Sequence, residues 1–290
     1  MKQTSPPFCS GALGYFGFVL SWSTCSWLLS AKLHPGQPPE SSLIFLLGGA
    51  GPLIGAVALT HLFESRATRR DFWRRIFDPR LLSLGNWALA LLLHPAIVLL
   101  AVLVDWVLGA SVPTLKLPSG GAFGLLSLAF FTLWFGPLPE EIGWRGFAQD
   151  RLQARWSPLQ ASVVIGLVWA LWHVPLFFVP GTFQYQLGWH SPRFWIFSAS
   201  LIPLSIVMTW VYNRAGRSTL AAALIHFSGN LCGALLPKNT RLALLELILL
   251  NAVAFVAGLQ SRKPTTHSAT QSRGRPSSPA KPEASTRAVQ

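Results

Sequence analysis

Residues Trp87–Leu108 read WALALLLHPAIVLLAVLVDWVL, an apolar run long enough to cross a bilayer as one helix. A hydrocarbon core of about 30 Å needs about 20 such residues in helical conformation. Seven more runs of this kind predict an all-α, polytopic membrane helix bundle with about eight transmembrane helices. These runs are Gly11–Leu29, Ser42–Phe63, Phe123–Pro137, Ala161–Val179, Phe194–Tyr212, Leu220–Leu236 and Leu242–Leu259.

The composition supports this class. The chain has 290 residues, of which 51% are hydrophobic and 11% charged, with a mean hydropathy of +0.43. Soluble domains carry about 25% charged residues. The net charge of +13 comes from Lys and Arg in the loops and the C-terminal tail, so it indicates a bilayer partner and no nucleic acid. Cys9, Cys25 and Cys232 are scattered and support neither a disulfide framework nor a thiolate metal site.

The basic residues also predict the orientation. With the N-terminus inside, 18 of the 23 Lys and Arg fall on the cytoplasmic side. The positive-inside rule then places both termini in the cytoplasm, and we expect a plasma-membrane location. The first apolar run is long enough to remain as a span, so no cleavable signal peptide is expected. Residues 1–260 form the membrane domain, and residues 261–290, rich in Ser, Thr, Pro, Lys and Arg, are expected to be a disordered basic cytoplasmic tail.

One predicted cytoplasmic loop, Ser65–Arg80, reads SRATRRDFWRRIFDPR and places Phe72, Trp73 and Phe77 among six arginines. A basic segment with aromatic side chains suits the headgroup layer of an anionic leaflet. The alternative is that these arginines only determine the orientation of the spans.

Ionisable side chains occur where apolar residues would be expected. Residues 136–147 read GPLPEEIGWRGF, and the prolines fit the first turn of a helix that runs to about Arg155. On such a helix Glu141 and Arg145 share a face and can pair. Glu140 is rotated by about 100° and lacks that partner, so it is free to act as a general base. The alternative is a helix start that is acidic only because of the helix dipole.

Two further motifs lie in later spans. Trp169 and His173 are one helical turn apart in the fifth span, and His226 and Asn230 have the same spacing in the seventh. Taken alone, His173 reads as a hydrogen-bonded core residue and the His226–Asn230 pair as a contact between helices. One Glu, two His and one Asn from three separate segments are harder to explain by packing.

The ordered set EExxxR, aromatic-xxxH and HxxxN resembles the CPBP family of intramembrane proteases, also called the CAAX protease or Abi family. The match runs from about Pro137 to Asn230. Trp169 stands where the family more often has Phe, and Gly143-Trp144 replaces the usual apolar pair before the arginine. The resemblance implies that residues 1–260 are a transmembrane protease domain.

The resemblance further implies hydrolysis of a peptide bond near the cytoplasmic membrane face. Glu140 and His173 would activate water, and His226 and Asn230 would stabilise the oxyanion. Glu141, Arg145 and Trp169 would be supporting residues. A metal-free, glutamate-dependent reaction is favoured; Zn²⁺ is the alternative, with Glu140, His173 and His226 as its ligands, although the chain has no HExxH helix. The substrate would be a peptide or a segment of a membrane protein, prenylated or not.

Two other classes of function use the same polar cluster. A non-catalytic membrane scaffold could keep it for binding, and a secondary transporter could use buried acids to couple ions. No inverted repeat is visible in the sequence, which argues against the transporter.

Overall fold

The computed structural model describes residues 8–261 of the chain, and the predicted tail from residue 262 onward lies outside the described residues. Every regular element in that range is helical. The α-helices are α1 (Phe8–Leu33), α2 (Leu43–Gly49), α3 (Gly51–Phe63), α4 (Arg66–Phe77), α5 (Leu84–Val107), α6 (Gly121–Trp134), α7 (Pro137–Gly143), α8 (Asp150–Gln153), α9 (Pro158–His173), α10 (Phe183–Leu187), α11 (Pro192–Arg214), α12 (Thr219–Leu235) and α13 (Thr240–Ser261).

The prediction of an all-α membrane bundle is confirmed, and each of the eight predicted spans contains a helix. Six helices in the described range are long and apolar enough to cross a membrane. A seventh crossing is possible if α2 and α3, bent by 63° at their junction, form one span. Because α12 is shorter than these, the number eight is approximate.

Two boundaries differ from the sequence prediction. The fourth span was expected to end at Pro137, but the helical path continues through Gln153 and carries the first motif within the candidate span. The segment Ser65–Arg80, expected as a loop, contains the 12-residue helix α4. The Ser65 hydroxyl accepts a hydrogen bond from the Thr68 amide and so caps the start of that helix.

Serine side chains begin most of the helices that carry the site. A buried or membrane-embedded helix start needs acceptors for its free amides, and a serine hydroxyl supplies one. Ser157 forms a full capping box with Gln160 at the start of α9. The N-cap serines of α5, α11 and α12 are Ser83, Ser191 and Ser218.

The helices around the first motif form the centre of the bundle. Helix α7 lies against α3, α6 and α12, while α11 packs between α9 and α13. An aromatic core closes one side, with the Trp144 ring 6.0 Å from the rings of both Tyr15 and Trp172. Trp144 is fully buried. At this position Trp144 therefore contributes to the packing of the core.

Gly143 allows the closest helix contact in this region. A Cβ atom there would lie 2.2 Å from the Tyr15 hydroxyl oxygen and 2.8 Å from the Pro52 carbonyl carbon. Neither distance is sterically possible, so any larger residue must push α7 away from α1 and α3.

We therefore expect Gly143→Ala to lower the free energy of unfolding by about 1–3 kcal/mol, the usual range for overpacking a tight core. Thermal melting of the detergent-purified protein measures this effect. Gly17→Ala is the matched control, because a Cβ at Gly17 meets no atom within 4 Å. Equal melting temperatures for the two variants would contradict the close contact.

Candidate active site

The first motif lies on a backbone that changes its helical geometry. Helix α7 begins at Pro137, as predicted, and ends at Gly143. A π-helical segment, Trp144–Gln149, follows and leads into α8. Segments of π-helix are rare and often occur at functional sites. The sequence prediction of a continuous helix to about Arg155 is therefore right in extent but missed this change.

Glu141 and Arg145 form the predicted pair. The Arg145 guanidinium donates to Glu141 at 2.8 Å, and neither side chain is exposed to solvent. The pair is also tied to two other helices, which the sequence did not indicate. The Nδ1 atom of His226 lies 3.1 Å from the second Glu141 oxygen, and Arg145 Nη2 donates to the Ser205 hydroxyl at 2.9 Å. This network joins α7, the π-helical segment, α11 and α12.

Glu140 is buried but has a different partner. The Trp169 indole N–H donates to one Glu140 oxygen at 2.7 Å. The other oxygen accepts no hydrogen bond from the part of the chain that the structure describes. Glu140 therefore has one oxygen held in place and one available for a water molecule. The adjacent glutamates thus have different partners, as the predicted helical rotation indicated, while their roles stay a prediction.

His173 is at the last residue of α9. Its Nδ1 atom lies 2.9 Å from the Trp169 carbonyl oxygen. A carbonyl oxygen only accepts, so Nδ1 carries the proton and Nε2 of the neutral ring keeps its lone pair. The ring is enclosed by Trp172 at 4.8 Å and Phe197 at 5.2 Å between ring centroids. This arrangement fixes the ring while leaving Nε2 as a proton acceptor.

His226 and Asn230 are joined along α12, as their spacing predicted. Asn230 Nδ2 lies 3.3 Å from His226 Nε2. Because Glu141 accepts from Nδ1–H, the neutral ring presents Nε2 as the acceptor for the asparagine amide. One amide N–H is thereby used, and the second is left for another acceptor. Asn230 also lies close to Gly136, since a Cβ there would be 3.7 Å from Nδ2.

Asn230 joins the site through His226, and the other three residues predicted to be catalytic are linked by Trp169. Besides binding Glu140, its ring lies edge-on to His226 at 4.9 Å and 6.0 Å from His173 between centroids. All seven predicted site residues thus belong to one connected cluster. Ser205 is the member that the sequence did not reveal, because a single serine in an apolar span carries no distinguishing signal. The predicted cleavage near the cytoplasmic membrane face stays a prediction.

The predicted metal ligands, Glu140, His173 and His226, each have a hydrogen-bond partner among the described residues. Within residues 8–261, no group of three or more His, Cys, Asp or Glu is arranged to hold a metal ion. Both ring nitrogens of His226 lie within hydrogen-bonding distance of Glu141 or Asn230. The set Glu140, His173 and His226 therefore does not fit Zn²⁺ as it stands, and the metal alternative stays a prediction.

The indole N–H of Trp169 donates a hydrogen bond to Glu140, which a phenylalanine at this position could not do. Trp169→Phe removes a hydrogen bond to a carboxylate, an interaction worth about 1.5–3 kcal/mol. We expect a roughly tenfold or larger fall in any activity that depends on Glu140. Trp172→Phe is the matched control, because the buried Trp172 N–H has no partner among the residues described. Equal activity in both variants would show that the Glu140 contact is unimportant.

Comparisons with known proteins follow the same region. Residues 122–232, which contain all seven site residues, match the family model described as type II CAAX prenyl endopeptidase Rce1-like. The chain is also 31% identical over 247 residues to a protein of Methanococcus maripaludis named CAAX prenyl protease 2. That alignment covers 83% of this chain and 89% of the other protein.

Proposed function

This chain belongs to the CAAX prenyl protease family, as its motifs indicated, and on that premise we propose that it hydrolyses a peptide bond in a prenylated peptide by a glutamate-dependent mechanism. The observation that supports this most directly is the connected cluster of Glu140, Trp169, His173, His226 and Asn230. Intramembrane proteolysis is the activity of the family. The assignment of roles to residues is our proposal.

In the proposed reaction, Glu140 takes a proton from a water molecule whose oxygen attacks the peptide carbonyl carbon. His173 Nε2 accepts a hydrogen bond from the same water and orients it. The carbonyl oxygen becomes an oxyanion, to which the second amide N–H of Asn230 donates. The carbon–nitrogen bond then breaks, and the proton held by Glu140 passes to the leaving amine. His226 acts by holding the Asn230 amide in position.

A shallow apolar cleft supports a lipid-modified substrate. This open cleft of about 560 Å³ runs along α6, reaches Phe227 of α12 and is lined almost entirely by apolar side chains. One of them, Phe227, directly follows His226, and another, Trp134, lies just before the first motif. A prenyl group on a cysteine near the C-terminus of a peptide has the chemistry to occupy such a cleft.

The test is cleavage of a farnesylated peptide by the full chain in proteoliposomes, with products identified by mass spectrometry. The same peptide without the lipid is the control, and we expect it to be cleaved much more slowly. Equal cleavage of both peptides would remove the prenyl group from the proposal. No cleavage of either peptide, in a protein that is folded, would overturn the proposed activity.

A chelator arm of the same assay addresses the metal. We propose a metal-free reaction, because His226 would have to give up Glu141 or Asn230 to become a ligand. Activity should therefore survive chelation, and metal analysis should find less than one Zn²⁺ per chain. Loss of activity with a chelator and its recovery with Zn²⁺ would reverse this proposal.

We also propose that both termini lie in the cytoplasm of a plasma-membrane protein and that cleavage occurs near that face. The support is the bias of Lys and Arg between alternate loops. Reporter fusions at Gln290 should therefore report a cytoplasmic location. A fusion that reports the opposite side would contradict the proposed orientation and therefore also the proposed face of cleavage.

A further inference from the structure

Helix α4 has an exposed row of positive charge. Arg66, Arg70 and Arg74 are spaced four residues apart, so they lie on one face of the helix, and all three are exposed. Phe77, three residues after Arg74, is 57% exposed. Its ring stacks on that of Trp73, with the centroids 5.8 Å apart and the planes at 7°. Cationic and aromatic groups thus occur together on the outside of α4.

The charge of this row is largely unneutralised. Within residues 8–261, neither the Arg66 nor the Arg70 side chain has a hydrogen-bond or salt-bridge partner. Asp71 is the single acidic residue of α4, and it pairs with Arg74 and Arg75. Partial burial opposes ionisation of Asp71, but hydrogen bonding from Arg74 and the charges of Arg75 and Arg217 hold its pKa below the usual value.

The opposite face of α4 is docked on the protein. Phe72 and Ile76 are buried, and only 5% of the Arg75 side chain is exposed. Arg75 donates to the Tyr212 hydroxyl at 2.7 Å and lies 3.0 Å from Asp150. Arg75 therefore anchors α4 to the end of α11 and to the start of α8.

The same docked face contacts the π-helical segment of the site. Arg75 also donates to the Gly146 carbonyl oxygen at 3.1 Å. A Cβ at Gly146 would be only 3.2 Å from the Phe72 ring, so α4 and this backbone are in direct contact. Gly146 follows Arg145, which holds Glu141. A displacement of α4 must therefore move or strain the backbone at Gly146, one residue away from the Glu141–Arg145 pair.

We propose that α4 binds the headgroups of anionic phospholipids through Arg66, Arg70 and Arg74, with Trp73 and Phe77 at the level of the headgroups. Lipid-bound α4 in turn holds the π-helical segment in the arrangement that the site requires. The occupant follows from charge complementarity, from the exposed aromatic pair and from the position of α4 directly after the membrane helix α3. The lipid-binding half is independent of the proposed function, and the second half rests on it.

The binding half is tested without any activity measurement. Melting of the full chain in a neutral detergent is followed while phosphatidylglycerol or phosphatidylcholine is added. We expect phosphatidylglycerol alone to raise the melting temperature. The double variant Arg66→Gln/Arg70→Gln should need roughly 25-fold more of it, since each basic residue near an anionic surface is worth about fivefold in affinity.

Two controls make this test decisive. Lys32→Gln/Lys116→Gln removes the same charge from two exposed positions, one near the end of α1 and one in the connection between α5 and α6, and it should respond like the wild type. An unchanged response of the arginine variant, or an equal loss in the lysine variant, would overturn the proposal. An equal effect of soluble glycerol phosphate would identify a free-anion site and would overturn the assignment to the bilayer.

The coupling half uses cleavage in nanodiscs with and without 30% phosphatidylglycerol and a substrate without net charge. The rate should rise with the anionic lipid in the wild type and in the lysine variant, but not in the arginine variant. Lipid binding with no change in rate would overturn the coupling alone. If no variant cleaves, the melting experiment still decides the binding half, so failure of the proposed function is distinguishable.

Discussion

Glu140→Gln is expected to lower the rate of peptide cleavage by a factor on the order of 10² or more while the protein still folds. Glutamine keeps a carbonyl oxygen that can accept the Trp169 N–H, so the contact that positions the side chain is retained. The amide, however, takes no proton from water. The measurement is the rate of product formation at saturating substrate, together with the melting temperature.

Glu40→Gln is the matched control for this substitution. Glu40 is exposed in the short connection after α1, and the change removes the same charge far from the cluster. This variant should cleave at the wild-type rate. Full activity of Glu140→Gln would exclude Glu140 as the general base. Full activity of both Glu140→Gln and Glu141→Gln would exclude the glutamate-dependent mechanism.

Glu141→Gln is expected to destabilise the protein by about 3–5 kcal/mol, the usual cost of removing one partner from a buried ion pair. The change leaves Arg145 without its counter-charge in a site that excludes solvent, and it weakens the contact to His226. We therefore expect a lower yield and melting temperature as well as lost activity. Arg145→Gln should produce the same set of defects.

The double variant Glu141→Gln/Arg145→Gln separates pairing from other effects. Its loss of stability should be smaller than the sum of the two single losses, because the second change leaves no charge unpaired. Additive losses would show that the two side chains act independently. A folded but inactive Glu141→Gln together with an active Glu140→Gln would make Glu141 the general base and Glu140 the supporting residue.

The membrane helices were predictable because each is an apolar run of the required length. The bend between α2 and α3 was not predicted, although Gly48-Gly49-Ala50-Gly51-Pro52 contains residues that commonly interrupt helices. Helix α4 was also recoverable in principle, since Phe72 and Ile76 recur on one face and the exposed arginines on another. Its high content of arginine made the segment read as a loop.

The site was predictable where it depends on spacing within one helix. The Glu141–Arg145 and His226–Asn230 pairs are of this kind, and both are present. Contacts between helices have no such rule. The contacts of Glu141 with His226 and of Ser205 with Arg145 could therefore not be predicted. The same holds for the burial of Arg75, the one arginine of α4 that is buried. The metal prediction and the catalytic roles stay predictions.

The hydrogen bond between Glu141 and His226 has a consequence for how the chain is made, because the two residues are 85 positions apart. At roughly 5–20 residues per second, the ribosome adds His226 about 4–17 s after Glu141. Ser205, the other partner of this network, follows Arg145 by 60 positions. During biosynthesis the Glu141–Arg145 pair is therefore made before either partner helix, α11 or α12, is complete. A chain arrested before α12 would carry this pair without its contact to His226, so completion of α12 sets the earliest moment at which the first motif can reach its final environment.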